Sequence, residues 1–287
     1  MEIIRSVSQM QQRALALRAE GRRIAFVPTM GWLHRGHLSL LEAGRERGDV
    51  LVLSIFVNPA QFGQGEDFDS YPRDLSRDAA LAEEVGTDII FAPEASDMYP
   101  RGYATYVDVE GITSVLCGAS RPGHFRGVTT VVTKLFTIVQ PHIALFGEKD
   151  FQQLAVIRRM TVDLNLPVEV VGMPIVREKD GLAMSSRNVY LGADQRWQAL
   201  ALSKSIAEAR QQVAAGESSA AIVIEGVRQT IEAMPDARID YLEICHQNSL
   251  EAQQAIDADS VLLLAVFIGE TRLIDNGLLH TNGEGGS

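Results

Sequence analysis

Pro28-Thr29-Met30-Gly31-Trp32-Leu33-His34-Arg35-Gly36-His37 is the stretch on which the reading of the whole chain turns. It follows Ile24-Ala25-Phe26-Val27, an apolar run that reads as a buried strand, and precedes Leu38-Ser39-Leu40-Leu41-Glu42-Ala43, which reads as a helix. A sharp strand-to-helix turn therefore carries two glycines and two histidines. In open parallel sheets ligands bind beyond the carboxyl ends of the strands, where such turns lie. A helix start also offers unpaired N–H groups and the positive end of the helix dipole, a ready seat for phosphate. His34 and His37 are three apart and share a helix face. Two imidazoles aimed at an anion can hold a triphosphate and steady the charge that develops as it is cleaved. Metal binding by the same pair is the weaker reading, since no cysteine lies nearby to complete a familiar set.

Working outward, 50–57 is a near-continuous apolar run, the pattern of a strand buried on both faces. Strand, helix and strand form a βαβ unit and predict a parallel sheet. A helix over 7–20, ending at Gly21, feeds the first strand. The second strand runs into Asn58-Pro59-Ala60-Gln61-Phe62-Gly63, at the same sheet edge as the histidine turn. The Asn58 and Gln61 amides both donate and accept, which suits the hydroxyls and carboxylate of a small polar acid. Residues 65–78 are polar and acidic and read as a mobile surface segment that orders when substrate binds. A helix over 75–85, a strand over 88–91 and a short strand over 105–109 follow.

Residues 117–127 hold two arginines, one histidine and three glycines without an acidic neighbour, a local basic loop in an acidic protein. Arginine suits two-armed binding of phosphate or carboxylate. A helix is expected over 129–139 and a strand over 142–146. Then comes a second strand-to-helix turn, Gly147-Glu148-Lys149-Asp150, with Gln153 one helical turn on. Gly147 lets backbone approach a ligand, Lys149 is a point charge, and Asp150 can meet Mg²⁺ directly or through water. Ala183-Met184-Ser185-Ser186-Arg187-Asn188 reads as a flexible loop able to close over phosphates. From Gly192 the character changes to two helices followed by three strands, a separate α+β unit. The expected division is an α/β domain with a Rossmann-like parallel sheet over 1–176, a smaller α+β domain over 177–280, and a disordered Gly-rich tail over 281–287.

Bulk properties narrow the class. The 287 residues carry a net charge of −11, which argues against general nucleic-acid binding. The composition, 46% hydrophobic and 22% charged, is that of a soluble globular chain. Cys117 and Cys245 lie far apart and outside any metal or redox spacing, which fits a reducing cytoplasm. The first residues lack the basic and apolar regions of a secretory signal, and the apolar run at 261–268 is far too short to span a bilayer.

Six short motifs, in this order and spacing, resemble the pantoate–β-alanine ligase (pantothenate synthetase) family: PTMGWLHRGH at 28–37, FVNPAQFG at 56–63, YPRD at 71–74, RPGHFRGV at 121–128, GEKDFQQL at 147–154 and MSSRN at 184–188. The first and last also resemble the nucleotide signatures of the wider adenylyl- and nucleotidyl-transferase superfamily. The resemblance implies a cytoplasmic homodimer with a Rossmann-like domain and a carboxy-terminal lid. It also implies a two-step reaction with Mg²⁺-ATP and no tightly bound organic cofactor. Pantoate carboxylate attacks the α-phosphorus to give pantoyl-adenylate and pyrophosphate. The amine of β-alanine then attacks the acyl carbon, giving pantothenate and AMP.

Carried over by motif position, Met30, Gly31, Trp32, Leu33, His34, Arg35, Gly36 and His37 line the ATP site. So do Gly147, Glu148, Lys149, Asp150, Val176, Met184, Ser185, Ser186 and Arg187. His37, His34, Lys149 and Arg187 are the catalytic set, and Asp150 lies near Mg²⁺. Gln61, Gln153 and Asn58 meet pantoate, and Gln61 also serves β-alanine. Tyr71, Arg121 and His124 are further candidates. Trp32 and Arg35 fall where the family varies. A nucleotidyltransferase acting on a phosphorylated alcohol shares the histidine turn but has no need of the amides around a small acid. A non-catalytic nucleotide-binding module has no need of the full charged set.

Overall fold

A computed structural model of the chain describes residues 1–280, and the tail over 281–287 lies outside the described residues. In order the chain forms β1 (Glu2–Ile4), α1 (Val7–Ala19), β2 (Ile24–Thr29), α2 (Arg35–Arg47), β3 (Val50–Ile55), α3 (Leu75–Glu84), β4 (Ile89–Phe91), α4 (Ala95–Met98) and α5 (Cys117–Ser120). It continues with α6 (His124–Val139), β5 (Ile143–Gly147), α7 (Phe151–Asp163), β6 (Glu169–Met173), α8 (Ala193–Ala214), α9 (Ala220–Glu232), β7 (Ala237–His246), β8 (Ser260–Ile268) and β9 (Thr271–Leu278). Two compact units result. One contains Met1–Glu148 and Gln153–Val176; the other contains Lys149–Gln152 and the chain from Arg177 on.

The first unit is built on a six-stranded sheet of order β1-β4-β3-β2-β5-β6, with every neighbouring pair parallel. Successive strand side chains point to opposite faces, and here both faces are covered. Ile24, Phe26 and Val52 join one cluster with Met10 and Leu17 of α1 and Val128, Val132 and Phe136 of α6. Ala25, Val27, Leu51 and Leu53 join the other with Leu40 and Leu41 of α2 and Ala82 of α3. Each large side chain so buried contributes about 1.5–3 kcal/mol, which is why these runs carry no polar alternation. The strand order reverses direction at β2, so the turn after Thr29 sits at the switch point of the sheet.

In the second unit α8 and α9 cover an antiparallel sheet of order β7-β8-β9. Leu202, Ile206 and Val223 from the helices meet Ile244, Leu262 and Leu264 from the strands. Among the described residues no helix is long and apolar enough to cross a membrane.

Three local expectations change. Helix α2 begins at Arg35 and not at Leu38, because His34 caps it. Helix α6 begins at His124, five residues before the expected start, after Gly123 at φ +82°. Residues 105–109 form no strand. The Val107 N–H donates to Thr130 Oγ1 at 3.0 Å, and its carbonyl accepts from Thr129 Oγ1 at 2.7 Å. Two threonine hydroxyls on α6 thus take the place of a neighbouring strand.

Candidate active site

At the end of β2 the Thr29 hydroxyl donates to the Ser54 carbonyl at 2.8 Å and accepts from Gly31 N–H at 3.2 Å. Gly31 (φ +85°) and Trp32 (φ +51°) then both lie in the left-handed region, which costs little for glycine and more for tryptophan. The cost is offset by convergence on Asp78. Its two carboxylate oxygens accept from Trp32 N–H and Leu33 N–H, each at 2.7 Å, and the side chain is buried. Arg77 completes the grip. It donates to Asp78 at 3.1 Å and to the Leu33 carbonyl at 2.8 Å, and lies 4.6 Å over the Trp32 ring. Burial raises the Asp78 carboxyl above its usual range, against the two N–H bonds and the Arg77 charge. A Cβ on Gly31 would sit 3.0 Å from both Asp78 Oδ2 and the Ile55 methyl, tight contacts that add to the strain of any side chain at φ +85°.

His34 is the N-cap of α2, with Nδ1 accepting from Gly36 N–H at 3.2 Å. His37 Nδ1 accepts in turn from His34 N–H at 3.3 Å, and the two rings stack with centroids 4.0 Å apart. A ring nitrogen that accepts an N–H carries no proton, so each neutral imidazole holds its hydrogen on Nε2. The N–H groups of Gly31, Trp32, Leu33, His34, Gly36 and His37 all have partners inside the turn or on Asp78. These six N–H groups therefore do not form the expected cradle of bare backbone donors. Arg35 points both guanidinium arms at Glu42, at 2.5 and 2.9 Å, and is exposed. Its charge is therefore neutralised on its own helix.

The loop after β3 is held as tightly. Asn58 is 1% exposed and caps a short 3₁₀ turn over Pro59–Gln61. Its Nδ2 donates to Gln61 Oε1 at 3.0 Å and to the Gly127 carbonyl at 3.2 Å, and its Oδ1 accepts from Ala60 N–H at 3.2 Å and Tyr99 O–H at 2.7 Å. That accounts for both hydrogens and both lone pairs of the amide. Asn58, expected to meet pantoate, is fully engaged within the protein, and its effect is to orient Gln61. Gln61 Nε2 in turn lies 3.3 Å from Met30 Sδ, joining this loop to the histidine turn. The close seating depends on Gly127, where a Cβ would collide with the Ala60 carbonyl.

The basic loop finds its acid far away in sequence. Arg121 binds both oxygens of Glu66, at 2.7 and 2.5 Å, and lies 3.1 Å from His124 Nε2, while His124 Nδ1 is 2.8 Å from the Gln61 carbonyl. Phe62 meets Phe68 and Tyr71 edge-on, so the first part of segment 65–78 is packed down by aromatic rings. Burial pushes the Glu66 carboxyl up, but the Arg121 hydrogen bonds and charge bring it below its usual range. A lowered folded value means the stabilisation is complete above the ordinary carboxylate range and is lost as pH falls through the lowered value. Replacing Glu66 by Gln is expected to flatten the decline of melting temperature below about pH 5. Melting curves between neutral pH and about pH 3 check this, and a decline as steep as the parent's would count against the pairing.

In the first unit Gly147 ends β5 opposite Met173, Glu148 follows it, and Gln153 and Val176 are half-buried. In the second unit the Lys149 carbonyl accepts from Asn276 Nδ2 at 3.0 Å, and Lys149 Nζ lies 3.7 Å from Asp150. Asp275, next to Asn276 on β9, is buried and takes both arms of Arg177 at 2.6 and 2.8 Å. The loop over 184–188 is anchored. Ser185 caps the 3₁₀ turn over Ser186–Tyr190, and its Oγ accepts from Arg187 N–H at 3.3 Å. Asn188 Nδ2 donates to Glu178 at 2.7 Å, and Arg196 bridges Glu178 and Asp180.

The model of the pantoate-beta-alanine ligase family matches residues 2–278. The chain belongs to the pantoate–β-alanine ligase family. Pantothenate synthetases at high identity include that of Syntrophotalea carbinolica, 64% identical over 97% of this chain and 99% of that one. That of Syntrophus aciditrophicus is 57% identical over 99% and 98%. The crystal structure of pantothenate synthetase from Thermus thermophilus superposes with a TM-score of 0.93 at 48% identity, covering 98% of this chain and all of that one. The pantoate-beta-alanine ligase from Francisella tularensis, solved in complex with β,γ ATP and β-alanine, gives 0.77 at 32% identity, covering 98% and 99%.

Within this ligase family frame, sequence reasoning missed Asp78, Glu66, Tyr99, Asp275 and Asn276. Only Asp78 left a signal. Leu75, Asp78 and Ala82 recur at helical spacing, which puts a carboxylate on the apolar stripe of α3. An acid at a core position has a partner, and here the partner is the backbone of the signature turn.

Proposed function

We propose that the chain joins (R)-pantoate to β-alanine, cleaving ATP to AMP and pyrophosphate by way of a pantoyl-adenylate. The observation that carries this reading is the family match over residues 2–278, which spans all six motifs. Adenylation makes AMP the leaving group of the second step, so the first step's demand is neutralisation of charge on departing pyrophosphate. His34 and His37 meet that demand as Nε2–H donors with their Nδ1 atoms held by backbone. Lys149 and Arg187 add positive charge, and Met30–Leu33, Gly147, Glu148, Val176 and Met184–Ser186 belong to the nucleotide. Gln61 and Gln153 take pantoate, and Gln61 also takes β-alanine.

Among the described residues no group of three or more His, Cys, Asp or Glu is placed to hold a metal ion. A single half-exposed carboxylate, Asp150, fits a Mg²⁺ that arrives on the ATP phosphates better than a resident ion. In this reading Mg²⁺ neutralises phosphate charge. The reading includes the cytoplasmic homodimer and the closing loop over 184–188 that the family resemblance implies.

ATP–pyrophosphate exchange, measured with β-alanine withheld, tests the reading. Exchange is expected only when pantoate is present. A sample that binds ATP but shows no exchange with pantoate would remove the adenylate step and favour transfer of a nucleotide to another acceptor.

A further inference from the structure

The histidine turn contains an anion already. Successive residues of positive φ, Gly31 and Trp32, aim the N–H groups of Trp32 and Leu33 at one point, the kind of concavity that binds anions elsewhere. Asp78 fills it, with both oxygens at 2.7 Å. We propose that Asp78 is a positioning residue for the His34/His37 pair: its carboxylate, brought up by α3, sets the backbone from which both imidazoles are presented.

Four observations carry this. Asp78 is 1% exposed, so its charge is not a surface accident; a buried carboxylate is kept where something compensates it. The compensation is backbone of the signature turn and Arg77, which also grips the Leu33 carbonyl. Trp32 is a non-glycine residue at φ +51°, a strained conformation that persists only when its surroundings determine it. And the next residue after Leu33 is His34, whose N–H is the donor that fixes the His37 ring. Movement at Leu33 therefore passes to both imidazoles through one peptide unit.

The consequence for the imidazoles stands on this geometry alone; the consequence for ATP rests on the function proposed above. In Asp78→Asn one oxygen still accepts, but the amide nitrogen turns an N–H toward the second backbone N–H. Two readouts follow. Nitrogen-detected histidine spectra of the parent are expected to show His34 and His37 as Nε2–H tautomers, and the variant to show mixed tautomers at one or both. Binding of Mg²⁺-ATP, measured by calorimetry, is expected to weaken about 10- to 100-fold, the usual loss when a hydrogen bond to a charged group is no longer well aimed. Met10→Ala, a cavity in the cluster on the opposite face of the sheet, serves as the control. It is expected to lower the melting temperature without changing tautomers or ATP affinity.

Unchanged tautomers with parent-like ATP affinity in Asp78→Asn would overturn the proposal. If that variant does not fold, Arg77→Gln keeps the carboxylate and removes its second tether. A weaker effect in the same direction is expected, and none at all would overturn the proposal. Should the parent bind ATP without pantoate-dependent exchange, the function falls while the tautomer result still decides the role of Asp78.

Discussion

With His37 replaced by asparagine, pantoate-dependent pyrophosphate exchange is expected to fall by about 10²–10³, with the melting temperature nearly unchanged. An asparagine Oδ1 reaches the place of Nδ1, so it can accept from His34 N–H as the ring does at 3.3 Å. The Nε2–H donor has no counterpart. The variant therefore separates the imidazole's capping bond from its bond to the anion, which alanine does not. Glutamine reverses the choice, since its terminal amide extends to the place of Nε2 and gives up the cap. If His37 serves as a hydrogen-bond donor to departing pyrophosphate, His37→Gln is expected to retain far more activity than His37→Asn and to keep the parent's alkaline limb in a pH–rate profile. If a proton must be delivered, both variants fall together and the limb disappears, because an amide cannot supply one. The paired Nδ1 contacts favour the first outcome. Protonating either ring at Nδ1 would set an N–H against a backbone N–H.

A second large effect is expected far from the histidines. Asp275→Ala should destabilise the second unit by about 3–5 kcal/mol, the usual cost of removing one member of a buried ion pair. Asp275 is buried, and Arg177, which it grips with two bonds, is less than a third exposed. Arg177 also donates to the Gly181 carbonyl at 3.1 Å, so its loss loosens the turn that leads into Leu182 and Ala183, both buried. Arg210 stands near the same carboxylate; burial and the Arg177 charge already depress its ionisation, and without Asp275 two arginines face each other. A lowered thermal midpoint and a lowered denaturant midpoint with unchanged slope are the expected results. A variant as stable as the parent would show that the pair's attraction only matches its desolvation cost. Exchange activity should fall as well, through Asn276 on the same strand, which holds the Lys149 carbonyl.

The sheet is legible in the sequence because its strands are buried on both faces. Ile24 to Val27 and Val50 to Leu53 are uniformly apolar over a length too short for a buried helix, which leaves a two-sided strand. The short β1, of three residues, has too little pattern to stand out and forms only because β4 offers it a parallel edge. Residues 105–109 read as a strand because alternation records which side chains are buried, not which groups satisfy the backbone. Two threonine hydroxyls do that instead.

The site divides in the same way. Motif residues such as His34, His37 and Gln61 announce themselves by type and spacing. The groups that hold them do so across long separations: Glu66 with Arg121, Asp78 with Leu33, Asn276 with Lys149. Nothing in one sequence records those distances. Asn58 shows the converse, a residue correct in kind for binding a polar acid whose amide is wholly consumed by Gln61, Gly127, Ala60 and Tyr99.

The bond from Asn276 to Lys149 also has a meaning in time. A ribosome makes the lysine near the middle of the chain and the asparagine that holds it only 127 residues later, on the last strand. During synthesis the nascent chain carries the lysine long before Asn276 can hold its carbonyl. A product truncated before β9 carries every one of the six signature motifs and still lacks this anchor. Completion of the polypeptide is thus built into the assembly of its charged turn.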